Sequence, residues 1–233
     1  VDKKNFRATD RARLFALLAP FPHVLVLSAH SHNQRHVFHT AADGWLGASP
    51  LHEFNLGAAC GSYWSGAKDA EGLPDARMDD GTPNGYAVLT VKPAGEYALA
   101  WQPAHHAPNT QIGLHAPKVL RRGAYPAWGV FANFYMGDND SRLEFRVDDG
   151  AWMPMKKVLL PDPALTEENM RDDQTTVLRG FDRSPEAAVS PHLWRGALPT
   201  KLAAGVHQVE VRAFDRWRGV VTATTRYTLL DSP

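Results

Sequence analysis

Cysteine is almost absent from these 233 residues: Cys60 stands alone. A single thiol excludes an internal disulfide framework and a zinc site built from cysteines. An excess of either charge is missing too, since 25 Lys and Arg balance 25 Asp and Glu. A chain near neutrality has no electrostatic footprint for nucleic acid or an anionic membrane, so neither is expected as a partner. No apolar run approaches the ~20 residues that a membrane-spanning helix needs. Charged residues follow Val1 at once, so the chain opens on no signal-peptide pattern. Internal repeats and low-complexity tracts are lacking as well.

What is present is a globular composition, 44% hydrophobic and 21% charged, in a length suited to one large domain or two small ones. Seven tryptophans, 17 prolines and 18 glycines favour turns and short strands over long helices. TDRARLFALLAP (9–20) predicts a helix capped by Thr9 or Asp10 and stopped by Pro20 and Pro22. An apolar strand follows over 23–28, expected to be covered on both faces. Helix, turn and buried strand make half of an α/β unit. In open α/β sheets, ligands sit beyond the carboxyl ends of the strands.

Beyond a polar loop (65–85), YAVLTVKPAGEYALAWQP predicts a hairpin turning at Pro93 to Gly95, and AHHAPNT (104–110) reads as a linker. Strands are then expected at 111–116, 128–136, 142–148, 151–158, 206–214 and 219–229, with one helical or coiled excursion at 163–174. In RLEFRVDDGAW, Leu143, Phe145 and Val147 alternate with Arg142, Glu144 and Arg146, so one face is core and the other solvent. Val209, Val211 and Ala213 are expected to face the same core. The fold class expected is mainly β: a C-terminal β-sandwich over 108–233 joined to an incomplete α/β piece over 1–105.

Histidine is concentrated in HVLVLSAHSHNQRHVFHT (23–40). After an extended strand, residues i and i+2 project to one side, so His30 and His32 could reach a common or paired metal site. Alone, that spacing leaves metal binding and an ordinary surface pair both open. An extended chain would carry His39 away from the pair. His105, His106, His115, His192 and His207 read as surface or satisfied core residues. Cys60, among small apolar neighbours, reads as a buried thiol rather than a nucleophile. Trp64 could face a substrate or simply pack. DARMDD (75–80) reads as a solvated loop pinned by the DGTPNG turn.

LSAHSHNQRHVF resembles the last metal-binding motif, Gly-His-x-His, of the calcineurin-like metallophosphoesterases. HEFNLGAACGSYWSGAKDAEGLPDARMDDGTPNGYAVLTV is similar to a segment of a bacterial subgroup that carries a dedicated C-terminal domain. SPHLWRGALP and GVHQVEVRAFD fit the same pattern. The resemblance implies that His30 and His32 each ligate one ion of a divalent pair (Mn, Fe or Zn). Two such ions hold a bridging hydroxide and neutralise a phosphoryl group under attack. Ala29 stands where the motif has glycine. The family's upstream motifs, Asp-x-His, Gly-Asp-x-x-Asp and Gly-Asn-His, are absent, and MGDNDS (136–141), with Ser141 in place of an aspartate, reads as a turn.

The resemblance thus implies the C-terminal portion of a phosphoesterase acting on phosphate esters. Its remaining ligands would lie upstream of Val1, and this part would pack against its own N-terminal catalytic part. Alone, the chain is expected to be inactive and to hold no metal. Periplasmic or secreted residence is implied by the resemblance only. The alternative is a non-catalytic sandwich module for a glycan or cell-envelope ligand, using aromatics such as Trp152, Trp194 or Trp217; a purely structural sandwich that shapes the catalytic cleft is a third reading.

Overall fold

The computed structural model describes residues 6–231. Helix α1 (Ala8–Leu18) starts after Arg7, which gives no side-chain cap, so Thr9 and Asp10 lie inside the first turn rather than capping it. Asp10 there still suits the positive end of the helix dipole. Phe15 from α1 packs edge-on against Trp45 at 5.6 Å and, with Leu51, seeds a small apolar cluster.

Three strands form the first sheet: β1 (Leu25–Ser28), β2 (Arg35–His39) and β3 (Leu51–Asn55). β3 is central, parallel to β1 and antiparallel to β2, and all five of its residues are buried. β1 is not covered on both faces as its apolar run suggested. It is an edge strand, and Leu27 is 47% exposed. Burial on two faces needs layers on both sides, and among the described residues nothing covers that side of β1. A hairpin follows, β4 (Gly85–Val91) and β5 (Tyr97–Pro103), turning through Pro93–Gly95 as expected.

The remaining strands are β6 (Ile112–His115), β7 (Val119–Arg121), β8 (Gly129–Phe134), β9 (Leu143–Val147), β10 (Met153–Pro154), β11 (Lys156–Val158), β12 (Leu193–Ala197), β13 (Gly205–Asp215) and β14 (Gly219–Leu230). Helix α2 (Pro163–Asp173) interrupts them; Asp162 caps it by accepting the Ala164 and Leu165 amides, and Pro163 at the first position loses no helical bond. One sheet runs β10-β9-β13-β14-β7 and the other β11-β12-β8-β6. Their inner faces share one apolar core.

Leu143, Phe145, Val147, Val209, Val211 and Ala213 all point into that core, with Val211 registered against Phe145. β12 was not anticipated, because Arg195 and Gly196 break its pattern. Gly196 lies where an added methyl would come 2.6 Å from the Phe145 ring, so the facing sheet requires glycine there. The chain is mainly β, as expected. The same core also takes in Phe54 of β3 and Leu99 and Trp101 of β5, so the hairpin and the first sheet pack on the sandwich.

Candidate metal centre

His30 and His32 sit in the turn (29–34) that leaves the carboxyl end of β1. The extended-chain argument for their common side does not apply, since both adopt left-handed backbone, φ +91 and +49. Ala29 keeps negative φ, so replacing the motif's glycine costs no strain at that position. Strain of this kind costs about 1–3 kcal/mol per residue and persists only where surroundings hold it.

Asn55, at the end of β3, holds the turn. Its side-chain amide donates to Ser31 Oγ and to the Asn33 carbonyl, both at 2.8 Å. His32 is fixed from the other side, where its Nδ1 donates to the Gly61 carbonyl at 2.7 Å. A carbonyl can only accept, so Nδ1 carries the hydrogen and, in the neutral ring, Nε2 keeps its lone pair. Metal-bound histidines are commonly oriented in this way. His30 is exposed.

The segment after β3 wraps this turn. The Tyr63 ring stacks on His32 at 4.8 Å, with Tyr63 81% exposed. Tyr63 and Trp64 are consecutive left-handed residues, φ +60 and +59, held by the Trp64 amide bonding to Cys60 O and the Ser62 amide bonding to Arg77 O. Trp64 is 42% exposed, with its ring 6.4 Å from that of His105. Cys60 is half-buried, its Sγ 4.0 Å from His32 Nδ1. Asp79 also borders the turn. Burial and the Asp80 charge push its carboxyl up to about 6, His32 opposes them, and Asp79 Oδ1 is buried with no partner among the described residues. Among the described residues no three His, Cys, Asp or Glu side chains converge closely enough to hold an ion.

DARMDD is not a solvated loop. Asp80 is 1% exposed and centres a buried network. Its Oδ2 accepts the Gln34 amide at 2.7 Å and lies 3.2 Å from His192 Nε2; its Oδ1 accepts the Thr82 amide. His192 Nδ1 lies 2.6 Å from Asn133 Oδ1, and Asn133 donates to Asp162 Oδ2, the cap of α2. Burial alone would raise Asp80, but His192 and the Gln34 and Thr82 amides hold it below the ordinary carboxylate range. This network ties the histidine turn, through Gln34, to β8, to the cap of α2 and to the segment that leads into β12. Only the motifs GLPDARMDDGTPNGY and SPHLWRGALP hinted at it.

The other histidines nearby are engaged elsewhere. His39 Nε2 donates to Glu53 Oε2 at 2.7 Å in a buried pair. His36 Nδ1 meets His52 Nε2 at 2.9 Å, and His52 Nδ1 meets the Tyr97 hydroxyl. Of the three tryptophans suggested as a glycan platform, Trp194 is 2% exposed and belongs to the core. Trp152 lies between the Arg146 and Arg212 guanidiniums, and Trp217 packs on His36 and His52.

The sandwich and the sheet that carries the histidine turn are thus joined through a buried Asp–His network. The pattern describing the C-terminal domain of calcineurin-like phosphoesterase matches residues 53–220, and the chain belongs to that family. The match takes in Trp64, Asp80 and His192 and begins after His30 and His32. No curated protein matches the chain.

Proposed function

We propose that the chain is the C-terminal portion of a metal-dependent phosphoesterase, in which His30 and His32 ligate a pair of divalent ions (Mn, Fe or Zn). Residues upstream of the chain would complete the site. The orientation of His32 carries this reading: a strained turn holds its Nδ1 on a carbonyl and leaves Nε2 to a ligand. The two imidazoles fit as part of a ligand set, since an imidazole ring nitrogen is a ligand such ions accept. When bound, such a pair of ions supplies a hydroxide nucleophile and neutralises phosphoryl oxygens.

The rest falls to the chain itself. Asn55 and Gly61 orient the turn, and Tyr63 and Trp64 offer exposed rings to the organic part of a phosphate ester. The open edge of β1 supports packing against an upstream catalytic part, because parallel strands are seldom left uncovered. Periplasmic or secreted residence accompanies this reading and rests on the resemblance.

In the protein with its upstream sequence, loaded with Mn²⁺, His30→Ala or His32→Ala is expected to lower turnover of a chromogenic phosphate ester by about 100-fold or more. Unchanged turnover in both variants would sink the assignment. The 233-residue chain alone should hydrolyse the ester no faster than background. Tight Mn²⁺ binding by it in a calorimeter would mean that no upstream ligands are needed.

A further inference from the structure

A cavity of about 260 Å³ opens in the sandwich where the loop 77–83, the start of α2 and strands β6 and β8 meet. Tyr135 forms part of its wall. The residue is 6% exposed, yet its hydroxyl bonds to no described residue and stands over Gly113, where an added methyl would lie 3.0 Å away. A hydroxyl so placed can bond to a molecule that enters the cavity.

Arg77 reaches the same cavity. Its Nε bonds to Asp75 at 2.9 Å, while its two terminal nitrogens bond to no described residue. His106 and His115 also line it, with Phe131 and Leu193 as the apolar wall; Ile112 and Leu114 border it from β6 with their side chains on the opposite, core face.

The charge balance selects the ligand. Asp75 neutralises Arg77, Asp162 adds a second carboxylate, and Glu167 lies 3.7 Å from His115. An anion would meet these carboxylates and a cation would meet Arg77. Asp162 and Asn133 are already engaged by the helix amides, His192 and each other. The groups left over are uncharged donors and acceptors and one neutralised guanidinium, beside an apolar wall. The volume falls just under the ~300 Å³ at which drug-sized pockets begin, so there is room for a single ring.

We propose that this cavity binds a neutral polyhydroxylated ring of monosaccharide size, with its apolar face on Phe131 and its hydroxyls on Tyr135 and Arg77. The site lies on the sandwich, apart from the histidine turn. The two are nonetheless linked, because the Tyr135 backbone carbonyl accepts the side-chain amide of Gln34, two residues beyond His32.

The test is calorimetry on the full 233-residue chain in EDTA, with a panel of neutral hexoses and N-acetylhexosamines and with their phosphates and uronates. Because EDTA removes metal, the outcome stands apart from the phosphoesterase reading. Saturable binding of a neutral member is expected, weakened about 3- to 10-fold by Tyr135→Phe with an unchanged melting temperature, since the fold does not use that hydroxyl. Gly113→Ala, which crowds the hydroxyl without removing it, should also weaken binding and serves if Tyr135→Phe fails to fold. Three results would each overturn the proposal: no neutral sugar binds, the charged derivatives bind more tightly than their neutral parents, or a folded Tyr135→Phe binds unchanged.

Discussion

Strands β3 and β13 are both flanked by neighbours on either side, yet they are built differently. β13 alternates: Val209, Val211 and Ala213 are fully buried while Gln208 faces water and Glu210 and Arg212 are half-exposed. β3 is buried at all five positions, and three of these are His52, Glu53 and Asn55. An apolar strand stabilises through area removed from water. A buried polar strand must find a partner for each group, and each partner found is also a positional constraint. His52 finds Tyr97, Glu53 finds His39 and Asn55 finds the histidine turn. The sandwich thus supplies cohesion, and the first sheet converts burial into the placement of side chains.

That contrast can be broken at several points. Phe145→Ala, in the middle of the sandwich core, should cost about 3–5 kcal/mol in urea unfolding. A loss below about 1 kcal/mol would mean that the facing sheet closes over the gap. Asp80→Ala should cost about 3 kcal/mol, because it strands His192 and two amides in a buried site. Should Asp80→Ala prove neutral, the network would be decorative.

A smaller effect appears with pH. Burial, then the charge of its partner His52, lowers His36 to about 3; burial, then Arg216, lowers His52 to about 4. Both folded-state values lie below the ordinary 6.5, so on acidification the unfolded chain takes up protons first. Their contribution to stability is complete above pH 6.5 and declines towards pH 4, by up to about 1.4 kcal/mol per pH unit for each histidine. Urea titrations of His52→Gln and the parent chain should therefore differ in slope by about one proton over that range. Identical slopes would show that the pair is better solvated than its packing implies. The smallest effect is expected at Leu27→Ser on the open edge of β1, within about 0.5 kcal/mol for the chain alone. A large loss there would mean that this edge is already covered.

Much of the sandwich was legible because a strand with one wet face writes its period into the chain. RLEFRVDD and GVHQVEVRAFD gave away both face and register-compatible length. β12 escaped because Gly196 answers to a ring on another sheet, which leaves no local trace. β1 was misjudged since an apolar run reports what a strand could bury, not whether a layer exists to bury it.

By itself the sequence determined the mainly β architecture, the alternating core faces, the turn at Pro93–Gly95 and the presence of His30 and His32 beyond a strand end. Each is a matter of neighbours a few residues apart, where sterics and solvent act on adjacent side chains. Only the tertiary structure decided that both histidines take left-handed backbone, that Gly61 orients His32, and that Asp80 is buried against His192. Asp80 and His192 are 112 residues apart, and their meeting depends on how the sheets close. No local pattern carries that, because a buried carboxylate is viable only once the partners that compensate its lost hydration have been brought to it from the rest of the fold.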